Sequence, residues 1–114
     1  GKLYCDLLLN NKHIEFPAYT KSNSYFLFQI LIKPPFNRDD IIIKLKNAGI
    51  GLSIHYSRPV PLMSYYAKKY GYTLSDFPNA VKFGDEVISL PVGPNLSKDN
   101  IRFICGELNR YLQL

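Results

Sequence analysis

Within four residues, His55-Tyr56-Ser57-Arg58 brings together an imidazole, a phenol and a guanidinium. Arg58 offers a planar fork for phosphate or carboxylate, and His55 and Tyr56 supply directional hydrogen bonds, so the grouping suits an anion. The same residues also fit an ordinary strand end carrying a hydrogen-bonded histidine. Independent catalysis finds no support: His13 is the only other histidine, and neither lies beside a nucleophile-bearing GxSxG. His13, near a helix end, reads as a polar surface or capping residue. Cys5 and Cys105 form no CxxC pair and no cluster with metal-ligand spacing, which predicts two reduced, packed thiols, with a disulfide as the lesser alternative and no metal site. Gly49-Ile50-Gly51 lacks the strand-to-helix flanks of a phosphate loop, and its glycines are explained by backbone geometry.

The residues around this grouping must position it. Leu3, Leu7 and Leu8 have helical spacing before Asn10-Asn11-Lys12, as at the end of a helix that begins upstream. Tyr25 to Lys33 is an aromatic and β-branched run stopped by Pro34-Pro35, which predicts a central strand covered on both faces with Phe26 and Phe28 in the core. Asn37 caps a helix that carries Ile41, Ile42, Leu45 and Ala48 and ends at Gly49. Residues 51–56 alternate Leu52, Ile54 and Tyr56 against Ser53 and His55, which predicts a second strand with His55 facing away from Leu52 and Ile54. A proline-bearing loop leads to a short helix over Leu62 to Tyr70. Asp76 is placed to cap a helix bearing Phe77, Ala80, Val81 and Gly84; Val87 to Leu90 form a third strand; and Ser97 caps a helix with Ile101, Ile104, Cys105, Leu108 and Leu112 on one face. The expected fold is α/β of the α+β kind: a small, mainly antiparallel sheet of about three strands with helices on one face.

Bulk properties narrow the function. The 114 residues make one small domain, long enough to bury a core but short for a complete enzyme. The longest apolar run, Tyr25 to Ile32, falls well below the ~20 residues of a membrane span, and no signal-peptide order opens the chain, which points to a cytoplasmic protein away from membranes. The net charge of +5 is scattered over Lys44, Lys46, Lys68, Lys69, Lys82, Lys98, Arg102 and Arg110, mostly on expected helices, where cationic side chains mark solvated faces. Nucleic acid is therefore not expected as a partner, and the RNA-recognition signature is missing. Tyr65, Tyr66, Tyr70 and Tyr72 fit either a partner-facing aromatic patch or ordinary helix packing.

Taken in order, Asn37-Arg38-Asp39-Asp40, Ala48-Gly49-Ile50-Gly51, His55-Tyr56, Phe77-Pro78-Asn79-Ala80 and Ser89-Leu90-Pro91-Val92 resemble the C-terminal region of the DegT/DnrJ/StrS family of sugar aminotransferases, over about Tyr25 to Leu112. The resemblance implies the C-terminal small domain of a fold-type I, pyridoxal-phosphate-dependent enzyme that moves an amino group, commonly from glutamate, to a keto sugar on a nucleotide. It implies residues 1–24 as the end of an interdomain helix and its connection, and residues 25–114 as the small domain. The Schiff-base lysine and the cofactor would belong to a large domain outside this chain, leaving no catalytic, cofactor-binding or metal residue here and an inactive chain on its own. Implied partners are that large domain, the nucleotide sugar and, in the complete protein, a second subunit. By the same resemblance His55 and Tyr56 face the substrate cleft and Arg58 neighbours the nucleotide phosphates, whereas Phe77-Pro78 and Ser89-Leu90-Pro91 are structural. Pro61 stands where many members carry a second histidine. A docking face for the large domain is expected as exposed apolar sheet. Two other classes of function remain, a free-standing ligand-binding or regulatory module and a basic nucleic-acid-binding domain.

Overall fold

The computed structural model describes residues 1–113. In chain order they form α1 (Lys2–Leu8), β1 (Ile14–Glu15), β2 (Phe28–Ile32), α2 (Arg38–Asn47), α3 (Ser64–Tyr70), α4 (Pro78–Glu86), β3 (Val87–Leu90) and α5 (Lys98–Tyr111), with short 3-10 turns at Val60–Leu62 and Leu74–Asp76. The three strands make one antiparallel sheet in the order β1-β2-β3. Leu114, on which the expected 25–114 domain ends, lies outside the described residues.

The register divides the side chains of β2 and β3 between two faces. Phe28 opposite Leu90 and Ile30 opposite Ile88, together with Ile32, face the main core, while Gln29 opposite Ser89 and Leu31 opposite Val87 face the other way. Onto the core face α1 brings Tyr4 and Leu8, α2 brings Ile41 and Leu45, and α5 brings Ile104, Cys105 and Leu108, all buried. Tyr4 and Leu8, and Ile41 and Leu45, are four residues apart, and Leu108 lies four and three residues after Ile104 and Cys105, so one stripe per helix is enough to close the core. The Tyr4 ring stacks on Phe28 at 4.9 Å, and its hydroxyl donates to the Pro91 carbonyl at 2.7 Å, which satisfies the one polar atom that the tyrosine carries inward. The caps fall where the sequence places them at two helices. Asn37 Oδ1 accepts from the backbone of Asp39 and Asp40 at 2.9 and 3.1 Å, and Ser97 Oγ accepts from Asn100 at 3.1 Å.

Several expectations are corrected. The first strand begins at Phe28, because Tyr25 has φ of +52° and its amide donates to Asn23 Oδ1 at 2.7 Å, a turn that cannot continue as extended chain. Phe26 is accordingly 82% exposed and is no core residue. Residues 51–56 join the sheet by a single bridge, Ser53 to Ser89, and the third strand of the sheet is β1. Asp76 does not cap α4. Its carboxylate accepts from the Thr73 amide at 2.7 Å and closes a capping box on the turn Leu74–Asp76, while the N-cap of α4 is Phe77, with Pro78 in the first turn. His13 is buried, edge-on to Phe36 at 5.0 Å, because the turn after α1 folds back onto the end of β2, where Lys33 donates to the His13 carbonyl.

The second sheet face is not open either. Leu31, Val87 and Ser89 are buried, covered as the chain from Ser53 passes across β3 and α4 turns into it. Exposed apolar side chains include Tyr56, Val60, Met63, Tyr65, Tyr66 and Tyr70 on and just before α3, which buries none of its residues, and Leu9, Phe26, Ile43, Leu74 and Phe103 elsewhere. The cations Lys44, Lys46, Lys68, Lys69, Lys82, Lys98, Arg102 and Arg110 are all exposed, as their helical placement suggests. No helix among the described residues is long and apolar enough to cross a membrane.

Cys5 and Cys105 are free thiols. Burial pushes the Cys105 thiol from 9.0 up to about 11, and the buried Tyr4 phenol is raised as well. Both groups hold their protons more tightly folded than unfolded, so the unfolded chain ionises first as pH rises. The stability from Tyr4 is complete below pH 10.0 and is lost above it; that from Cys105 is complete below pH 9.0 and declines toward about 11. Urea midpoints should therefore fall across that interval and fall less steeply in Cys105→Ala; a flat profile in the parent chain would contradict this origin.

Candidate functional site

His55, Tyr56 and Arg58 line one cleft of about 570 Å³, together with Pro59, Val60, Met63, Ala80 and Phe83. The 3-10 turn Val60–Leu62 and the outer side of α4 form its apolar walls, and the three polar residues enter from the segment that has just left β3. All three residues singled out by sequence are thus brought together. Arg58 is exposed and forms no salt bridge among the described residues, and residues 51–75 contain no aspartate or glutamate. A guanidinium so placed is available to an external anion.

The segment is held in place by residues that reasoning from sequence passed over. Gln29 Nε2 donates to the His55 carbonyl at 2.7 Å, and the Ser89 hydroxyl lies 2.9 Å from His55 Nδ1. Ser53 and Ser89 exchange backbone hydrogen bonds at 2.8 and 3.4 Å. These contacts explain why a ladder does not form beyond Ser53: the sheet takes up His55 through side chains, and the backbone is released into the Pro59 loop. The signal was present in the sequence, because Gln29 and Ser89 are uncharged polar residues inside two apolar strands. Such residues are buried at a cost unless they are hydrogen-bonded, and so mark a specific partner.

Gly84 supplies the third support. It is buried on α4, and a Cβ at this position would overlap the Ser57 carbonyl oxygen, so glycine allows the helix to lie directly against the backbone of the site. Arg38, buried at the start of α2, donates from Nη1 to the carbonyls of Gly84 and Val87 at 2.8 and 2.9 Å and pins the corner between α4 and β3. Helical spacing puts Gly84 among the apolar positions of a helix face; its work is close approach.

No cofactor cradle is built into this cleft. A pyridoxal phosphate site requires an amine that can lose its proton and an acidic partner, and the cleft lining has neither lysine nor carboxylate. Every lysine but Lys33 is exposed. Lys33 is bound to Glu86 at 2.8 Å and Glu15 at 3.3 Å, and the hydrogen bond to Glu86, with a smaller one to Glu15, raises its pKa, the opposite of what a nucleophilic amine needs. The cleft residues therefore do not fit the group, and no step through it is assigned to them. Among the described residues no cluster of three or more histidine, cysteine or acidic side chains is placed to hold a metal.

If Gly84 sets the spacing between α4 and the site, Gly84→Ala should destabilise the chain by about 1–3 kcal/mol, as overpacking does. It should also shift the NMR resonances of His55 and Ser57 more than those of α5. Unchanged stability and unchanged His55 resonances would show that the close approach has no consequence.

A model of the DegT/DnrJ/EryC1/StrS aminotransferase family matches residues 2–109. An uncharacterized protein of Methanocaldococcus jannaschii is 32% identical over 106 residues, which cover 89% of this chain and 27% of that protein. The dTDP-3-amino-3,6-dideoxy-alpha-D-galactopyranose transaminase of Aneurinibacillus thermoaerophilus is 27% identical over 105 residues, 90% of this chain and 27% of its own length. The crystal structure of S. venezuelae DesV in complex with a ketimine intermediate has the same fold, with a TM-score of 0.88 at 24% identity over 99% of this chain and 30% of that one. The chain thus spans less than a third of the length of these proteins. With the three-stranded antiparallel sheet, the helical layer and the match over residues 2–109, the chain belongs to the DegT/DnrJ/EryC1/StrS aminotransferase family.

Proposed function

We propose that this chain is the C-terminal small domain of a pyridoxal-phosphate-dependent sugar aminotransferase, which transfers an amino group from glutamate to a keto sugar carried on a nucleotide. In this reading residues 1–24 are the end of an interdomain helix and its connection, and residues 25–114 form the domain that closes one side of the substrate cleft. The cofactor and the Schiff-base lysine belong to a large domain beyond this chain, and the complete enzyme is cytoplasmic and homodimeric. The observation that carries the reading is the cleft itself: in a chain of this family, His55, Tyr56 and Arg58 converge on a space with no acid or lysine in its lining and a guanidinium that forms no ion pair among the described residues. Such a site can bind and orient an anionic substrate but cannot carry out transamination.

The part of each residue follows from its chemistry. Arg58 would pair with phosphate oxygens of the nucleotide, a charge-assisted contact in a cleft whose lining holds no carboxylate. His55, anchored to Ser89 and Gln29, would present a fixed imidazole edge to the sugar or its phosphates. Tyr56 is 71% exposed and would meet the large domain or the substrate once the cleft closes. Pyridoxal phosphate supplies the electron sink of the reaction when bound in the complete protein. The choice of a nucleotide sugar draws on the named function of the Aneurinibacillus relative.

The test compares the full-length protein with the 114-residue chain after addition of pyridoxal phosphate. The full-length protein should develop the absorbance of the lysine-bound cofactor and lose it on addition of glutamate, and the 114-residue chain should do neither. In the full-length enzyme Arg58→Ala should raise KM for a keto-sugar nucleotide by about 10-fold or more with a smaller change in kcat, the loss expected for a charged hydrogen bond. A full-length protein that binds no cofactor would overturn the enzymatic reading, and an unchanged KM would remove Arg58 from the phosphate site.

A further inference from the structure

His55 is held at one ring nitrogen only. Nδ1 lies 2.9 Å from Ser89 Oγ and 3.4 Å from Ser53 Oγ, whereas Nε2 makes no hydrogen bond among the described residues and the ring lines the cleft. Which nitrogen carries the proton then depends on the direction of the hydrogen bond to Ser89, and the surroundings of Ser89 fix that direction.

Gln29 provides the starting point. Its Nε2 lies 2.7 Å from the His55 carbonyl, an atom that can only accept, so the amide nitrogen and not the amide oxygen must face this side. The same nitrogen lies 3.4 Å from Ser89 Oγ, where its second hydrogen is directed. Ser89 is 3% exposed, and its hydroxyl has one hydrogen to donate. With one lone pair of Oγ taken by Gln29, two arrangements remain. If His55 Nδ1–H also donated to Oγ, the hydroxyl hydrogen would be left buried without an acceptor, a state folded proteins avoid. If the hydroxyl instead donates to Nδ1, every group is satisfied. Ser53 Oγ, exposed and 3.4 Å from the same nitrogen, can donate or accept and fits either direction, so the buried Ser89 hydroxyl decides.

We propose that Gln29 and Ser89 form a one-way hydrogen-bond relay, from amide to hydroxyl to Nδ1, that holds neutral His55 as the Nε2–H tautomer and so makes it a hydrogen-bond donor to an oxygen of the substrate and not a proton acceptor. That His55 meets substrate rests on the function proposed above; the tautomer does not. Gln29 and Ser89 are thereby positioning residues, and the site they complete presents two donors, His55 Nε2–H and the Arg58 guanidinium. Paired donors of this kind select a ligand rich in acceptor oxygens, as the diphosphate of a nucleotide sugar is. A ligand that offered a cation or a donor to His55 would be disfavoured by the same arrangement.

Long-range proton–nitrogen NMR on the 114-residue chain, whose apolar core closes within its own residues, reads the tautomer of each histidine directly at alkaline pH. Only His13 and His55 contribute, and His13 serves as the internal control. His55 is expected as a single Nε2–H form. In Ser89→Ala it should become a mixture in which the Nδ1–H form appears, while His13 stays as it was. Gln29→Met, which keeps the length of the side chain but removes the bond to the His55 carbonyl that holds the ring against Ser89, should move His55 in the same direction and serves if Ser89→Ala does not fold. A mixture or the Nδ1–H form in the parent chain would overturn the proposal, as would a His55 tautomer unchanged by either substitution. Neither measurement involves cofactor or turnover, so a full-length protein without transaminase activity would refute the proposed function while leaving the relay intact.

Discussion

A primary amide inside a sheet is tolerated only when its hydrogens have acceptors, and at Gln29 one of those acceptors is the carbonyl of His55. This hydrogen bond links the part of the chain that folds by burial to the part that carries the polar chemistry. Around it the sheet has two different faces. One is apolar from Phe28 to Leu90 and is closed by α1, α2 and α5; the other presents Gln29 and Ser89 and is closed by the segment that becomes the site. Without the amide and the hydroxyl, residues 53–58 would have a single backbone bridge to hold them.

The remaining supports act on the same segment from the other side. Arg38 fixes the corner between α4 and β3 through two carbonyls, and Gly84 on that helix lets the backbone of Ser57 come into contact. The cleft between α4 and the Val60–Leu62 turn is a product of these constraints, and its polar rim and apolar walls follow from which residues each element contributes. Its lining has no group able to form a Schiff base, so in the function proposed above the share of this chain is binding and orientation. The exposed tyrosines of α3 and its neighbours lie beside this cleft rather than on the sheet, which places the unpartnered apolar surface next to the polar residues of the site.

Much of this was legible in the residues themselves. The helical stripes of α2 and α5, their Asn37 and Ser97 caps, and the apolar runs of β2 and β3 each have a local cause, and local causes can be read from spacing. His55, Tyr56 and Arg58 were legible as a group because they are contiguous. What escaped depends on contacts between distant parts of the chain. Residues 51–56 have the alternation of a strand, yet side-chain hydrogen bonds from Gln29 and Ser89 take the place of a ladder. The two-residue β1 has too little pattern to announce itself, and it pulls His13 into the interior. Tyr25 and Phe26 continue an apolar run in sequence, but the turn set by Asn23 leaves Phe26 in solvent.

The dependence of the site on Gln29 is open to direct measurement by amide hydrogen exchange in the parent chain and in Gln29→Leu. The bridge amides of Ser53 and Ser89 report on attachment of the site segment, and the amides of the β2–β3 ladder and of α5 report on the core. Loss of a hydrogen bond worth about 1 kcal/mol should speed exchange at Ser53 and Ser89 about fivefold or more while the core amides keep their protection. Equal exchange at the bridge in both proteins would contradict the central claim and mean that the segment is held by its backbone and by Gly84 alone.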